Sequence, residues 1–350
     1  MPPLASASRF AYVAGTTGIS AYSVNLDKGK LTEIAGSPFA RETHPSSVKV
    51  GPSDRVVYST ELEYYGVQGV HAYSIDRTTG ALSEIVGSPS AEGRGALIIH
   101  PSGKFVYAVD NASGVWAYRV AADGALVQVE GSPFAPGGSS HDIAIDPSGQ
   151  YAFVDSFLNN RLYTFRIDPT SGALTKIAET MAGDHPAGVA VAPSGKFAFV
   201  ASGGSGDLGG HGGGGAVSQN SGVWAFSIDP ATGTLTEIGS VAIGGTPFRI
   251  TVHPTGKFVY VTNLMSGNIS AFSIDALGAL TSIGTPFPTV DRPWSITMDP
   301  SGRFVYVTSF ESSTISGYSI DANTGILAEM DGSPLSTPIL PASITFTAML

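Results

Sequence analysis

The chain has 350 residues, a formal net charge of −10, 44 glycines, 23 prolines and no cysteine. The acidic balance argues against a nucleic-acid partner, which needs a basic stripe along the backbone-binding face. The missing cysteine excludes disulfides, thiolate metal sites and a Cys nucleophile. No apolar run reaches ~18 residues, so the sequence offers no membrane-spanning helix. A cysteine-free chain also suits an oxidising compartment, which favours a secreted or periplasmic protein over a cytoplasmic one. The opening Met1-Pro2-Pro3-Leu4-Ala5-Ser6-Ala7-Ser8 has no basic start or apolar stretch of a signal peptide, so it reads as a native start or the remnant of a trimmed leader.

In chain order the elements are short strands with Gly- and Pro-bearing turns, and they repeat. Three strands come first: Phe10–Gly15, Ile19–Asn25 and Leu31–Ile34. From there each unit supplies four strands, A to D. Strand A holds one apolar anchor: Val48, Leu97, Ile143, Val189, Ile250, Ile296 and finally Ile344. In the six units before the last, a Pro four residues on opens a tight turn of the His253-Pro254-Thr255-Gly256 kind. Strand B is aromatic and β-branched, as in Phe258–Asn263 and Phe304–Ser309, and strand C ends in Ile-Asp before a Thr-Gly turn into strand D. The anchors are 46 to 49 residues apart, except one interval of 61 that carries the Gly-rich insertion 202–222. That insertion reads as a surface loop, with a flap over the mouth as the alternative.

The strands do not alternate cleanly between apolar and polar, so both faces of each sheet must be covered. Radially stacked four-stranded units of this length make propeller blades. The predicted fold is therefore all-β, a single seven-bladed β-propeller of four-stranded antiparallel blades. Blade 1 spans 9–36 plus 342–348; blades 2 to 7 span 46–87, 95–131, 141–179, 187–241, 248–283 and 294–330. The lone C-terminal strand Ala342-Ser343-Ile344-Thr345-Phe346 matches the strand A that the N-terminal unit lacks, so pairing the two closes the ring and removes two sheet edges.

In such a ring the D–A and B–C connections share one channel mouth. His44, Arg94, His141, His185, Arg249 and Arg292 precede strand A in six of the seven units. Glu61, Asp155, Asn263 and Glu311 lie at or just after the ends of strand B, with Arg161 opening strand C in blade 4. Gathered cations in an acidic protein point to an anion site, since Arg grips a carboxylate or phosphate with two parallel hydrogen bonds. His71, His100 and His253 read as structural. No nucleophile elbow, metalloprotease helix or acidic calcium loop is present.

FVYVTN at 258–263, the Pro-Ser-Gly-Lys/Arg turns, the Ile-Asp-x-x-Thr-Gly-x-Leu segments and the Gly-Ser-Pro closers resemble the lactonase family of seven-bladed propellers from Phe10 to Phe346. That family includes 6-phosphogluconolactonases, carboxy-cis,cis-muconate cyclases and secreted proteins named for a Tyr-Val-Thr-Asn repeat. The resemblance implies His141 as the family's mouth histidine and Arg161 as a family arginine. Where the family often reads Pro-Arg-His and Asn-Glu, this chain has Pro247-Phe248-Arg249 and Asn263-Leu264.

Two functions follow as expectations. The first is a metal- and cofactor-independent lactonase, probing a small anionic or carbohydrate-derived cyclic ester. His141 is its base, Arg249 the oxyanion contact, and Glu61 or Glu311 the group orienting the base. Arg292, Arg94, His185, His44, Asp155, Arg161 and Asn263 are its substrate contacts. The second is a non-catalytic secreted or envelope propeller that binds carbohydrate or protein on the same face. A monomer is expected in either case.

Overall fold

The computed structural model describes residues 9–40, 44–61, 69–90, 92–111, 113–134, 139–203 and 220–348. The Gly-rich segment 204–219 falls outside them, so the loop and flap readings of it are both left untouched.

Strand B is the densest apolar run in each unit, and it becomes an inner strand buried along its length. Phe105–Asp110, Tyr151–Ser156, Phe258–Asn263 and Phe304–Ser309 are buried at every position. Strand D is the outer edge: three residues in five blades, such as Leu82–Glu84 with one buried and two exposed, and eight residues in blades 4 and 5, Leu174–Met181 and Leu235–Ala242. Seven antiparallel sheets result, each ordered A-B-C-D; those of blades 6 and 7 add the two-residue strands Phe287–Pro288 and Leu335–Ser336.

Every predicted anchor lands on one rung of its blade. Val48, Leu97, Ile143, Val189, Ile250, Ile296 and Ile344 pair with Ser59, Ala108, Val154, Val200, Val261, Val307 and Val13. The last of these rungs is the seam. The C-terminal strand Pro341–Phe346 pairs antiparallel with Arg9–Gly15, Val13 opposite Ile344 and Ala11 opposite Phe346.

The repeat's side chains hold each blade to the next. Seven hydrophobic clusters fill the junctions between neighbouring blades, including the one between blades 7 and 1. The strand-B tyrosine donates its hydroxyl to the C–D turn glycine carbonyl of the following blade: Tyr12 to Gly80, Tyr58 to Gly124, Tyr107 to Gly172, Tyr260 to Gly325 and Tyr306 to Gly29. Glycine is required there. Gly80 and Gly172 both have φ +78°, and an added Cβ would come within 2.5 and 2.4 Å of the rings of Phe10 and Phe105. The serine of each Gly-Ser-Pro closer extends strand D, since Ser37, Ser88, Ser132 and Ser333 accept the N–H of Ala21, Ala72, Ala117 and Gly317 on strand C.

Strand A is an edge strand facing the channel, and side chains from the preceding blade satisfy its free amides. Ser47 accepts from Leu97 N, Asp142 from Val189 N and Ser343 from Val48 N. His100 and His253 bridge the opposite face, each Nε2 within 2.9 Å of the next blade's turn carbonyl (Gly149 or Gly302), in keeping with a structural role.

Candidate active site at the channel mouth

The strand-A edges enclose a cavity of about 950 Å³ that runs along the axis. Arg94, His141 and Arg249 line its mouth; Pro254, Asp299 and Pro300 line its far end. Two backbone devices shape the connections around it. In blade 6 a β-bulge between Pro247 and Ile250 places one extra residue at Arg249. Just ahead of strand A in blades 4 to 7, Ser139, His185, Thr246 and Arg292 adopt positive φ (38°, 52°, 60° and 46°). The carbonyls of Ser139, His185 and Thr246 then accept the N–H groups of Phe157, Gly203 and Leu264, binding the D–A connection to the B–C connection.

His141 stands over Asp155. The carboxylate of Asp155 is fully buried and accepts the backbone N–H groups of His141 and Asp142, both at 2.7 Å. Its other oxygen is 3.9 Å from His141 Nδ1, and the imidazole packs edge-on to Phe157 at 4.8 Å. Nε2 is left as the ring nitrogen not turned toward Asp155. Burial, then the neighbouring Arg249 charge, lowers the His141 pKa to about 4, so the ring is a free base at neutral pH. Burial pushes the Asp155 carboxyl up to about 8, overcoming the two backbone hydrogen bonds that favour its charged form.

Arg249 reaches across two blades. Its guanidinium donates to the Ala187 carbonyl in blade 5 and, at 3.3 Å, to the His141 carbonyl in blade 4, and it lies 4.3 Å from the Phe248 ring. Further N–H donors remain beside the imidazole. Phe157, Ala187, Phe248 and Leu264, with Trp294 against them, form a small apolar cluster under the mouth. Leu264 is buried in it.

Several predicted contacts are placed elsewhere. Asp155, expected as a substrate contact, lies beneath His141 and not against the cavity. Glu311 is half exposed and pairs with Arg292 at 2.5 Å on the blade 7 rim; neither lines the cavity. His44 turns its Nδ1 to the Thr16 carbonyl and secures the junction of blades 1 and 2. His185 packs against Phe157 at 4.6 Å, outside the cavity lining. Asn263 is buried and bonds Asn268 and Ser270, closing its own hairpin. Arg161 starts strand C of blade 4, opposite Ser156 and Met181, away from the axis.

Glu61 does line the cavity, but in blade 2. It accepts the His44 N–H at 2.6 Å, and its other oxygen is 3.3 Å from His71 Nε2. His71 Nδ1 is in turn 3.2 Å from the half-exposed Glu84, so an imidazole joins two carboxylates across the blade. Burial raises the Glu61 pKa. Lys49, not singled out from the sequence, also lines the cavity; burial lowers its pKa, and its charged neighbours are Asp142 and Arg249. The signal was available: Lys49 occupies a register position that the other blades fill with small, apolar or hydroxyl side chains. Among the described residues no cluster of His, Asp and Glu could hold a metal ion, and no helix is long and apolar enough to cross a membrane.

A ring of seven four-stranded antiparallel blades, closed by its C-terminal strand, defines a seven-bladed β-propeller. The chain belongs to the seven-bladed β-propeller lactonase family, whose model matches residues 97–293 and 249–339, and is thereby placed among enzymes. It is 24% identical over 299 residues to a 6-phosphogluconolactonase of Bacillus subtilis, covering 78% of this chain and 80% of that protein. A 6-phosphogluconolactonase of Pectobacterium carotovorum is 25% identical, over 71% of this chain and 86% of its own. Among solved structures, a putative 6-phosphogluconolactonase from Bacteroides uniformis superposes with a TM-score of 0.81 at 20% identity, covering 97% of this chain and 100% of that one. A periplasmic gluconolactonase from Pseudomonas aeruginosa gives 0.78 at 19% identity, covering 98% and 100%.

Proposed function

We propose that the chain hydrolyses the cyclic ester of an anionic sugar acid or carboxylated lactone at this mouth. The observation that carries the reading is the buried Asp155 beneath His141, with Arg249 tied to the same histidine's carbonyl. Nε2 of the neutral imidazole takes a proton from water as that water adds to the lactone carbonyl. The free N–H groups of Arg249 face the negative charge that develops on the carbonyl oxygen. The ring C–O bond then breaks, and the imidazolium returns its proton to the departing alkoxide. An imidazolium made acidic by burial is a ready donor for that step. Asp155 keeps the ring in place through the backbone of residues 141 and 142.

Initial rates on glucono-1,5-lactone and on carboxylated lactones, followed by acid release, test this. His141→Ala should lower kcat/KM by roughly 10²–10³-fold. Wild-type rates that never exceed buffer would sink the reading, and saturable carbohydrate binding without turnover would then mark a binding propeller.

A further inference from the structure

One layer below His141 and Arg249 the channel has two unlike walls. Counted by pairing with strand B, Lys49 of blade 2 is equivalent to Ile98, Ala144 and Ala190 in blades 3 to 5, and to Thr251, Thr297 and Thr345 in blades 6, 7 and 1. One arc is therefore aliphatic and the other carries hydroxyls. Lys49 is the one cation of that layer. It is half-buried, and among the described residues its ammonium takes no hydrogen-bond or ion-pair partner. Asp142, two residues nearer the mouth in this register, does not swing onto it: its two oxygens are held by the N–H groups of Ile143 and Val189. A cation in a narrow channel with no partner of its own, beside unspent hydroxyls of Thr251 and Thr297, is a seat for an anion.

The charge of the cavity limits which anion. Lys49, Arg94 and Arg249 face Glu61, Asp110 and Asp142, while Asp299 at the far end is neutralised by Arg9 at 2.5 Å. The lining is balanced in formal charge, so any negative charge an occupant brings beyond the one that Lys49 faces goes uncompensated. A phosphate dianion would bring a second, uncompensated negative charge beside Asp142; a carboxylate would not. Strand geometry sets the Lys49 backbone roughly 7 Å below that of Arg249, and its ammonium feels the charges of Asp142 and Arg249, within reach of a short substituent on a lactone ring held at the mouth.

We propose that Lys49 is the anion seat of the channel and that it selects lactones whose ring bears a carboxylate arm over those bearing a phosphate arm. The inference rests on the reading of the mouth as a lactone site, and its test does not depend on turnover. Calorimetric titration with D-glucose, D-glucuronate and D-glucose 6-phosphate presents one ring with a neutral, a carboxylate and a phosphate arm, none of them a lactone. Glucuronate should bind wild type most tightly. Lys49→Met should weaken glucuronate by about tenfold or more and erase its advantage over glucose. Lys49→Thr, which installs the residue that blades 6, 7 and 1 use in this layer, should do the same and guards against misfolding of the first variant. Equal glucuronate affinity in wild type and a folded variant, tighter binding of glucose 6-phosphate than of glucuronate, or no binding of any of the three would overturn the assignment. Lactone turnover by wild type, measured separately, reports on the catalytic reading alone.

Discussion

Blades 4 and 7 follow one plan at the channel mouth: a basic residue ahead of strand A and an acid at or just after the end of strand B. In blade 4 the acid is fully buried, fastened by two backbone N–H groups, and the histidine above it faces the cavity. In blade 7 the acid is half exposed, and Arg292 spends its charge on it at the rim. The same residue types give a preorganised pair in one repeat and a solvated ion pair in the other. What separates them is burial, which shifts both blade 4 groups far from their ordinary pKa values, while the exposed pair is screened by water.

Arg249→Gln should break the blade 4 arrangement most. Loss of the proposed oxyanion contact predicts a fall of about 10²-fold in kcat/KM. Arg249 also helps hold the His141 pKa down, so the acid limb of the rate profile, placed near pH 4 in wild type, should move to higher pH in the variant. A limb that stays put would mean that burial alone sets the pKa.

Asp155→Asn keeps an oxygen for the two backbone donors and removes the titration. The folded-state pKa of Asp155 is raised to about 8, so its contribution to stability is present below the unfolded value of ~3.9 and is lost as pH rises through about 8. The variant should therefore gain on wild type as pH rises, by up to about 1.4 kcal/mol per pH unit between the two values and no further above about 8, in chemical denaturation. A constant difference between pH 5 and pH 9 would show that Asp155 ionises freely in the folded protein.

Glu311→Gln should sharpen the contrast by doing little. An exposed pair contributes no more than about 0.5 kcal/mol, and kcat/KM should stay within about twofold. A large loss of activity would bring blade 7 into the catalytic machinery.

The ring was legible in the sequence because its signals are local and repeated. A tight Pro-Gly turn, an aromatic strand and a Thr-Gly turn fix where each strand lies, and all seven anchors fall on equivalent rungs. The mouth was legible only as an address. Chain position brought His44, Arg94, His141, His185, Arg249 and Arg292 to one end, but direction depends on bulges and positive-φ residues that leave no compositional mark. His44 thus turns to Thr16 and Arg292 to Glu311 from just ahead of the bulges that open strand A in blades 2 and 7, while Arg249 lies within the equivalent bulge of blade 6. Asp155 looked like a rim residue because it ends a strand; its burial comes from packing beneath the neighbouring connection. Lys49 passed unnoticed because a lysine between two valines reads as ordinary alternation, until it is compared with its six counterparts.

The tyrosine-to-glycine contact continues from Tyr306 to Gly29, so the step from blade 7 to blade 1 is built like most of the others. A linear stack of repeats has a weakest terminal unit from which it frays. Here each described blade has a neighbour on both sides, and opening any one breaks two junctions at once. Unfolding should be a single concerted event around the whole circle, leaving the loops of the mouth free to change without loosening it.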